Sequence, residues 1–95
     1  MEIDRVRVSD VYGDFVSIAS DRDHRPSVGV WVHDSAFARN GRQGISVTAA
    51  RDVVLERNAL TATRRATFDL EPGSRRDRVV GVRILDNRVG PGRLL

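Results

Sequence analysis

Apolar and polar residues alternate along several short stretches of this chain, and the stretches recur. Val30-Trp31-Val32-His33-Asp34-Ser35-Ala36-Phe37, Val53-Val54-Leu55-Glu56-Arg57-Asn58-Ala59-Leu60 and Val82-Arg83-Ile84-Leu85-Asp86-Asn87-Arg88-Val89 share one form. Each reads apolar, any, apolar, any, any, Asn or Ser, any, apolar. The copies start at Val30, Val53 and Val82, so the second interval is the longer of the two. Val6-Arg7-Val8 reads as a weaker copy, one comparable interval before the first. A second motif falls between these: Phe15-Val16-Ser17-Ile18, Gly44-Ile45-Ser46-Val47 and Thr67-Phe68-Asp69-Leu70. Ile45 and Phe68 are separated by the same interval as Val30 and Val53. Two motifs on one period mark an internal repeat.

Alternation at period two predicts short strands, and Val, Ile and Phe suit a half-buried pleated surface. Turn residues separate the stretches: Tyr12-Gly13-Asp14, Arg39-Asn40-Gly41-Arg42, Glu71-Pro72-Gly73 and Val89-Gly90-Pro91-Gly92. The segment 71–78 reads as an inserted loop that lengthens the third interval. A helix over Ala49–Ala66 competes, because 45–71 contain neither Gly nor Pro. The apolar residues there form no clean stripe at helical spacing.

A repeat of this length cannot bury its own apolar face, whereas stacked copies can. If each copy is one turn of a coil, equivalent residues sit ~4.8 Å apart along the axis. Five inward ladders are then predicted: Val6/Val30/Val53/Val82, Val8/Val32/Leu55/Ile84, Phe37/Leu60/Val89, Val16/Ile45/Phe68 and Ile18/Val47/Leu70. Ser35, Asn58 and Asn87 fall together at a bend. Asn tolerates the left-handed backbone, and its amide both donates and accepts along the axis.

Composition narrows the picture. The 95 residues suffice for one small domain, and 40% are hydrophobic, a globular rather than disordered balance. Cysteine is absent, which excludes disulfides and thiolate metal or redox sites. No stretch approaches the length of a membrane span, so no membrane partner is expected. The net charge is +3, and all 16 basic residues are Arg. They alternate with Asp, as in Asp21-Arg22-Asp23 and Arg75-Arg76-Asp77-Arg78, instead of gathering on one face as in a nucleic-acid binder. No nucleic-acid partner is expected.

The run Gly44-Ile45-Ser46-Val47 followed by Val53-Val54-Leu55-Glu56-Arg57-Asn58-Ala59-Leu60 resembles the right-handed parallel β-helix repeat of the pectate-lyase-like superfamily. The resemblance spans residues 3–90 or so. It implies an all-β, right-handed parallel β-helix, a solenoid of about four rungs near 3–20, 28–50, 51–73 and 79–92. Such helices have many more rungs and a cap. This chain ends on Arg93-Leu94-Leu95 without an evident one, so it resembles a fragment. The superfamily implies an extracellular parent and an acidic polysaccharide lying across an outer face.

On that implication, Asp14, Asp69 and Glu71 are the candidate catalytic carboxylates. A lyase needs a base and a hydrolase needs two carboxylates. Arg42 and Arg65 are candidate bidentate ligands of a uronate carboxylate. Trp31 is a candidate sugar platform, or a tryptophan covered by Arg7 and Arg83 of neighbouring rungs. His33 and Glu56 fall on adjacent rungs as a candidate pair. The familiar signatures are missing: no paired-Asp hydrolase motif, no Asp-Pro-His, and His33-Asp34 in the reverse order of the lyases' Trp-x-Asp-His. The Asp21–Pro26 loop offers three possible metal ligands, but two Asp split by Arg is a poor calcium pattern. Neither a metal nor a cofactor is expected. The rival reading is a non-catalytic structural or adhesive scaffold that stacks on its parent or self-associates through exposed end rungs.

Overall fold

The computed structural model describes residues 1–91. The end of the fourth expected rung at 92 and the expected uncapped terminus Arg93-Leu94-Leu95 lie outside the described residues. Eleven strands follow one another: β1 (Glu2–Asp4), β2 (Arg7–Val11), β3 (Val16–Ile18), β4 (Ser27–His33), β5 (Ala36–Asn40), β6 (Ile45–Val47), β7 (Ala50–Glu56), β8 (Ala59–Thr61), β9 (Phe68–Leu70), β10 (Val79–Leu85) and β11 (Arg88–Val89). There is no helix among the described residues. The competing helix over Ala49–Ala66 is replaced by β7 and β8, whose buried Ala50, Val53, Leu55 and Leu60 follow strand spacing.

The chain takes three sheets in fixed rotation. The first sheet is β1-β4-β7-β10, the second β2-β5-β8-β11 and the third β3-β6-β9. Every pairing is parallel. Each backbone ladder therefore joins one layer of the chain to the next.

The central layers match the predicted ladders. Val30, Val53 and Val82 are in register, as are Val32, Leu55 and Ile84. Val16, Ile45 and Phe68 form another row, and Ile18, Val47 and Leu70 another. The first layer corrects the expectation. Ile3, not Val8, stands opposite Val32. Val8 stands opposite Phe37 in the second sheet, and the Val6 amide donates to Ser35 Oγ at 3.1 Å. The turn from Ile3 to Val32 is thus as long as the one from Leu55 to Ile84. The loop between β3 and β4 is a second insertion, which the Val6-Arg7-Val8 alternation had hidden.

The Asn row behaves as a polar spine, with one correction. Left-handed backbone is carried by the residue before it: Arg5 (φ 53°), Asp34 (51°), Arg57 (54°) and Asp86 (55°). The Asn and Ser side chains turn inward instead. The Ser35 amide donates to Asn58 Oδ1 at 3.1 Å, and the Asn58 amide to Asn87 Oδ1 at 2.8 Å. Asn58 Nδ2 donates to the Val32 carbonyl and Asn87 Nδ2 to the Leu55 carbonyl. At the next corner Gly44 leaves no room for a Cβ, which would strike the Thr67 carbonyl.

Burial falls away from the middle. Val53, Leu55 and Leu60 are fully buried, while Ile84, Val89 and Leu70 in the last layers are 39%, 44% and 44% exposed. Leu55→Ala should therefore cost about 3 kcal/mol, read from the denaturant midpoint. Ile84→Ala, on the same ladder, should cost under about 1 kcal/mol, because the outer position has few neighbours to lose. Equal costs at the two positions would contradict this gradient.

Candidate functional site

Most of the residues singled out from the sequence lie on the third sheet or in the segments that flank its strands. Ser17, Ser46 and Asp69 stand in register, as expected. Asp14 and Arg42 are brought together, with Arg42 Nε 3.8 Å from Asp14 Oδ1. Asp14 is already occupied: Oδ1 accepts the Gln43 amide at 3.0 Å and Oδ2 accepts Ser46 Oγ at 2.7 Å. In the next layer Gln43 Oε1 accepts the Ala66 amide in the same way. Asp14 thus serves as a link between layers, a second polar spine that the turn composition did not reveal. The Arg65 amide donates to the Arg42 carbonyl, so the two Arg occupy successive layers. The Glu71 amide donates to the Val47 carbonyl, and its side chain is exposed just beyond β9.

Trp31 belongs to the first sheet, away from this group. Its register partners are Glu2 and Val54, not Arg7 and Arg83. Arg7 belongs to the second sheet, and Arg83 lies on β10, two strands away. The corrected first-turn register is the reason for Arg7, and the intervening Val54 is the reason for Arg83. The indole stacks on His33 with ring centroids 3.7 Å apart, and Nε1 donates to Glu56 Oε1 at 3.3 Å.

His33 is the centre of the densest charged cluster. Glu2 and Asp4 are two apart on β1 and so share a face; Asp4 stands opposite His33. The buried imidazole lies between carboxylates. Nε2 is 2.5 Å from Glu2 Oε2, and Nδ1 is 2.6 Å from Asp34 Oδ2 and 3.5 Å from Asp4 Oδ1. The Asp34 contact first, then Glu2, pushes the imidazole pKa up, against the effect of burial. Asp34 in turn receives two Arg57 hydrogen bonds at 2.9 Å. Arg57 first, then His33, holds its carboxyl well below the usual range. Acidic and basic side chains therefore alternate from Glu2 through His33 and Asp34 to Arg57, across three layers. His33 and Glu56 are in register, but Glu56 takes Trp31 and Arg57 instead. Periodicity shows His33 as an outward strand residue; its partners became visible only with the register of β1.

The left-handed corner row extends this pattern as Arg5, Asp34, Arg57 and Asp86, alternately positive and negative. A shallow groove of about 610 Å³ runs beside it, with Arg7 and Arg88 on its far side. At the following corner Arg39 grips Asp10 with bonds of 2.6 and 2.9 Å.

The two inserted loops meet over Ala49 and Ala50. Asp77 is buried there; Oδ2 accepts Ser74 Oγ at 3.0 Å, Oδ1 has no partner, and His24 Nδ1 is 4.0 Å from Oδ1. In the first of these loops Asp21 caps the Asp23 and Arg25 amides, and both Asp pair with Arg25. Among the described residues, Glu2, Asp4 and His33 form the one group of three or more potential ligands whose atoms lie within 4.8 Å of one another.

No known protein family, curated protein or solved structure matches this chain.

Asp34→Asn should lower the thermal midpoint more than Asp10→Asn. Asp34 serves both Arg57 and the His33 ring, whereas Asp10 serves Arg39. Thermal melts followed by circular dichroism at neutral pH compare the two, and equal shifts would refute a linked role for Asp34.

Proposed function

We propose that the chain is a segment of right-handed parallel β-helix, of the pectate-lyase-like kind, working as a non-catalytic stacking module that joins end to end with a second copy. The observation that carries this reading is the state of the two end layers. Inward residues Ile84, Val89 and Leu70 at one end are about two-fifths exposed, and Ile3, Val8 and Val16 at the other are half-buried. Strands β1, β2 and β3 at one end, and β10, β11 and β9 at the other, have a parallel partner on one side only among the described residues. Unpaired strand edges above an open apolar interior are templates for a further layer. The three-sheet rotation, parallel registers and Asn spine support the β-helix description.

Charge supports a second copy as the occupant. The corner row begins with Arg5 and ends with Asp86, so head-to-tail stacking continues its alternation. Glu2 likewise would meet Arg83, the last member of its own row. Arg7 and Arg88 would meet as like charges and weaken the contact. A head-to-tail contact propagates into open assemblies instead of closing as a dimer. The polysaccharide-active reading has less support: the Asp14 carboxylate is filled, Glu71 stands apart from it, and Trp31 lies on another sheet.

Sedimentation equilibrium from micromolar to millimolar protein should show association that grows with concentration. Arg5→Asp and Asp86→Arg should each weaken it, and an equimolar mixture of the two variants should restore it. Arg88→Glu should strengthen it. A monomer throughout that range would overturn the proposal. Cleavage of a uronic-acid polymer would restore the enzymatic reading.

A further inference from the structure

We infer that Glu2, Asp4 and His33 form a site for one transition-metal ion of the zinc type at the outer edge of the first sheet. One ligand atom from each of the three lies within 4.8 Å of the other two. The cross-strand register creates the set: Glu2 and Asp4 project from one face of β1, and His33 stands beside Asp4 on β4. One imidazole nitrogen with two carboxylate oxygens suits zinc and its neighbours better than calcium or magnesium, which prefer all-oxygen sites. Three protein ligands leave the remaining position to water, the open form of a zinc site.

Residues outside the trio distinguish it from a patch of acids. Asp34 sits 2.6 Å from Nδ1 and is itself gripped by two Arg57 bonds. A carboxylate behind an imidazole fixes its tautomer and makes the far nitrogen the better donor. Trp31 lies nearly flat against the ring, at 19° between planes. The His33 side chain is buried, so Nε2 points in one direction, toward Glu2. Glu2 is half exposed on a strand with an open outer edge. The 2.5 Å between Nε2 and Glu2 Oε2 accommodates a proton. A metal ion, with bonds of ~2.1 Å to each ligand, takes the proton's place once Glu2 swings outward and Asp4, whose Oδ1 lies 3.5 Å from Nδ1, turns toward Nε2.

Titration of the full chain with zinc chloride, by calorimetry and by the emission of Trp31, the single tryptophan, tests this. One ion per chain should bind with micromolar affinity and change the emission, while calcium and magnesium should do neither. Glu2→Gln and Asp4→Asn should each weaken binding at least about tenfold, and His33→Gln should abolish it. Asp34→Asn, which touches no metal, should weaken it by about tenfold or more. His24→Gln should leave it unchanged. Because Glu2 is exposed, Glu2→Gln keeps the fold intact and decides the matter even if His33→Gln unfolds. Absence of zinc binding at millimolar metal, or equal binding by wild type, Glu2→Gln and Asp4→Asn, would overturn the inference.

Discussion

Hydrogen bonding between successive layers of the chain is the constraint on which everything else in this molecule depends. The strands are short, from the two-residue β11 to seven-residue strands such as β7, and each gains its backbone partners only from the strand one layer away. Once that register is set, interior side chains stand on their own equivalents: Val30 on Val53 on Val82, Val32 on Leu55 on Ile84. A layer slipped by one residue would turn its apolar side chains to water. The two polar spines fasten the same register at the corners. Asn58 and Asn87 do so with amides, and Asp14 and Gln43 do so with side-chain oxygens.

The corners explain how so many charged residues are accommodated. Three left-handed positions recur through the layers, at Arg5/Asp34/Arg57/Asp86, at Asp10/Arg39/Ala62 and at Gly29/Asp52/Gly81. Non-glycine residues there carry a backbone cost, and no single preference for Asn or Gly is visible. At two of the rows the side chains offset part of that cost by pairing between layers, Arg57 with Asp34 and Arg39 with Asp10. Exposed pairs of this kind are individually weak. In the first of these rows the alternation leaves Arg5 at one end of the stack and Asp86 at the other.

The His33 cluster and the end layers share a dependence on β1. This short edge strand supplies Glu2 and Asp4 to the imidazole and Ile3 to the interior ladder. A ligand that binds its acids would also tie the first layer to the second. Metal binding and stacking of another copy, both proposed above, would act through this one strand.

The period shared by the two motifs, the alternation within it and the turn residues around it determined the strands, their succession and the central ladders. Those properties belong to each repeat and its neighbour, and alternation in sequence becomes alternation across a pleat. Ser17, Ser46 and Asp69 could be aligned for the same reason. The tertiary structure alone decided the register of the first layer, because Val6-Arg7-Val8 and Glu2-Ile3-Asp4 offer similar short alternations. Only the interior fit with Val32 and the length of the loop before β4 distinguish them. That one choice put Glu2 in place of Arg7 beside Trp31 and brought Glu2 and Asp4 to the imidazole. Side chains that meet across a whole turn of the chain are neighbours because of where entire layers settle, and such contacts leave no local mark in the order of residues.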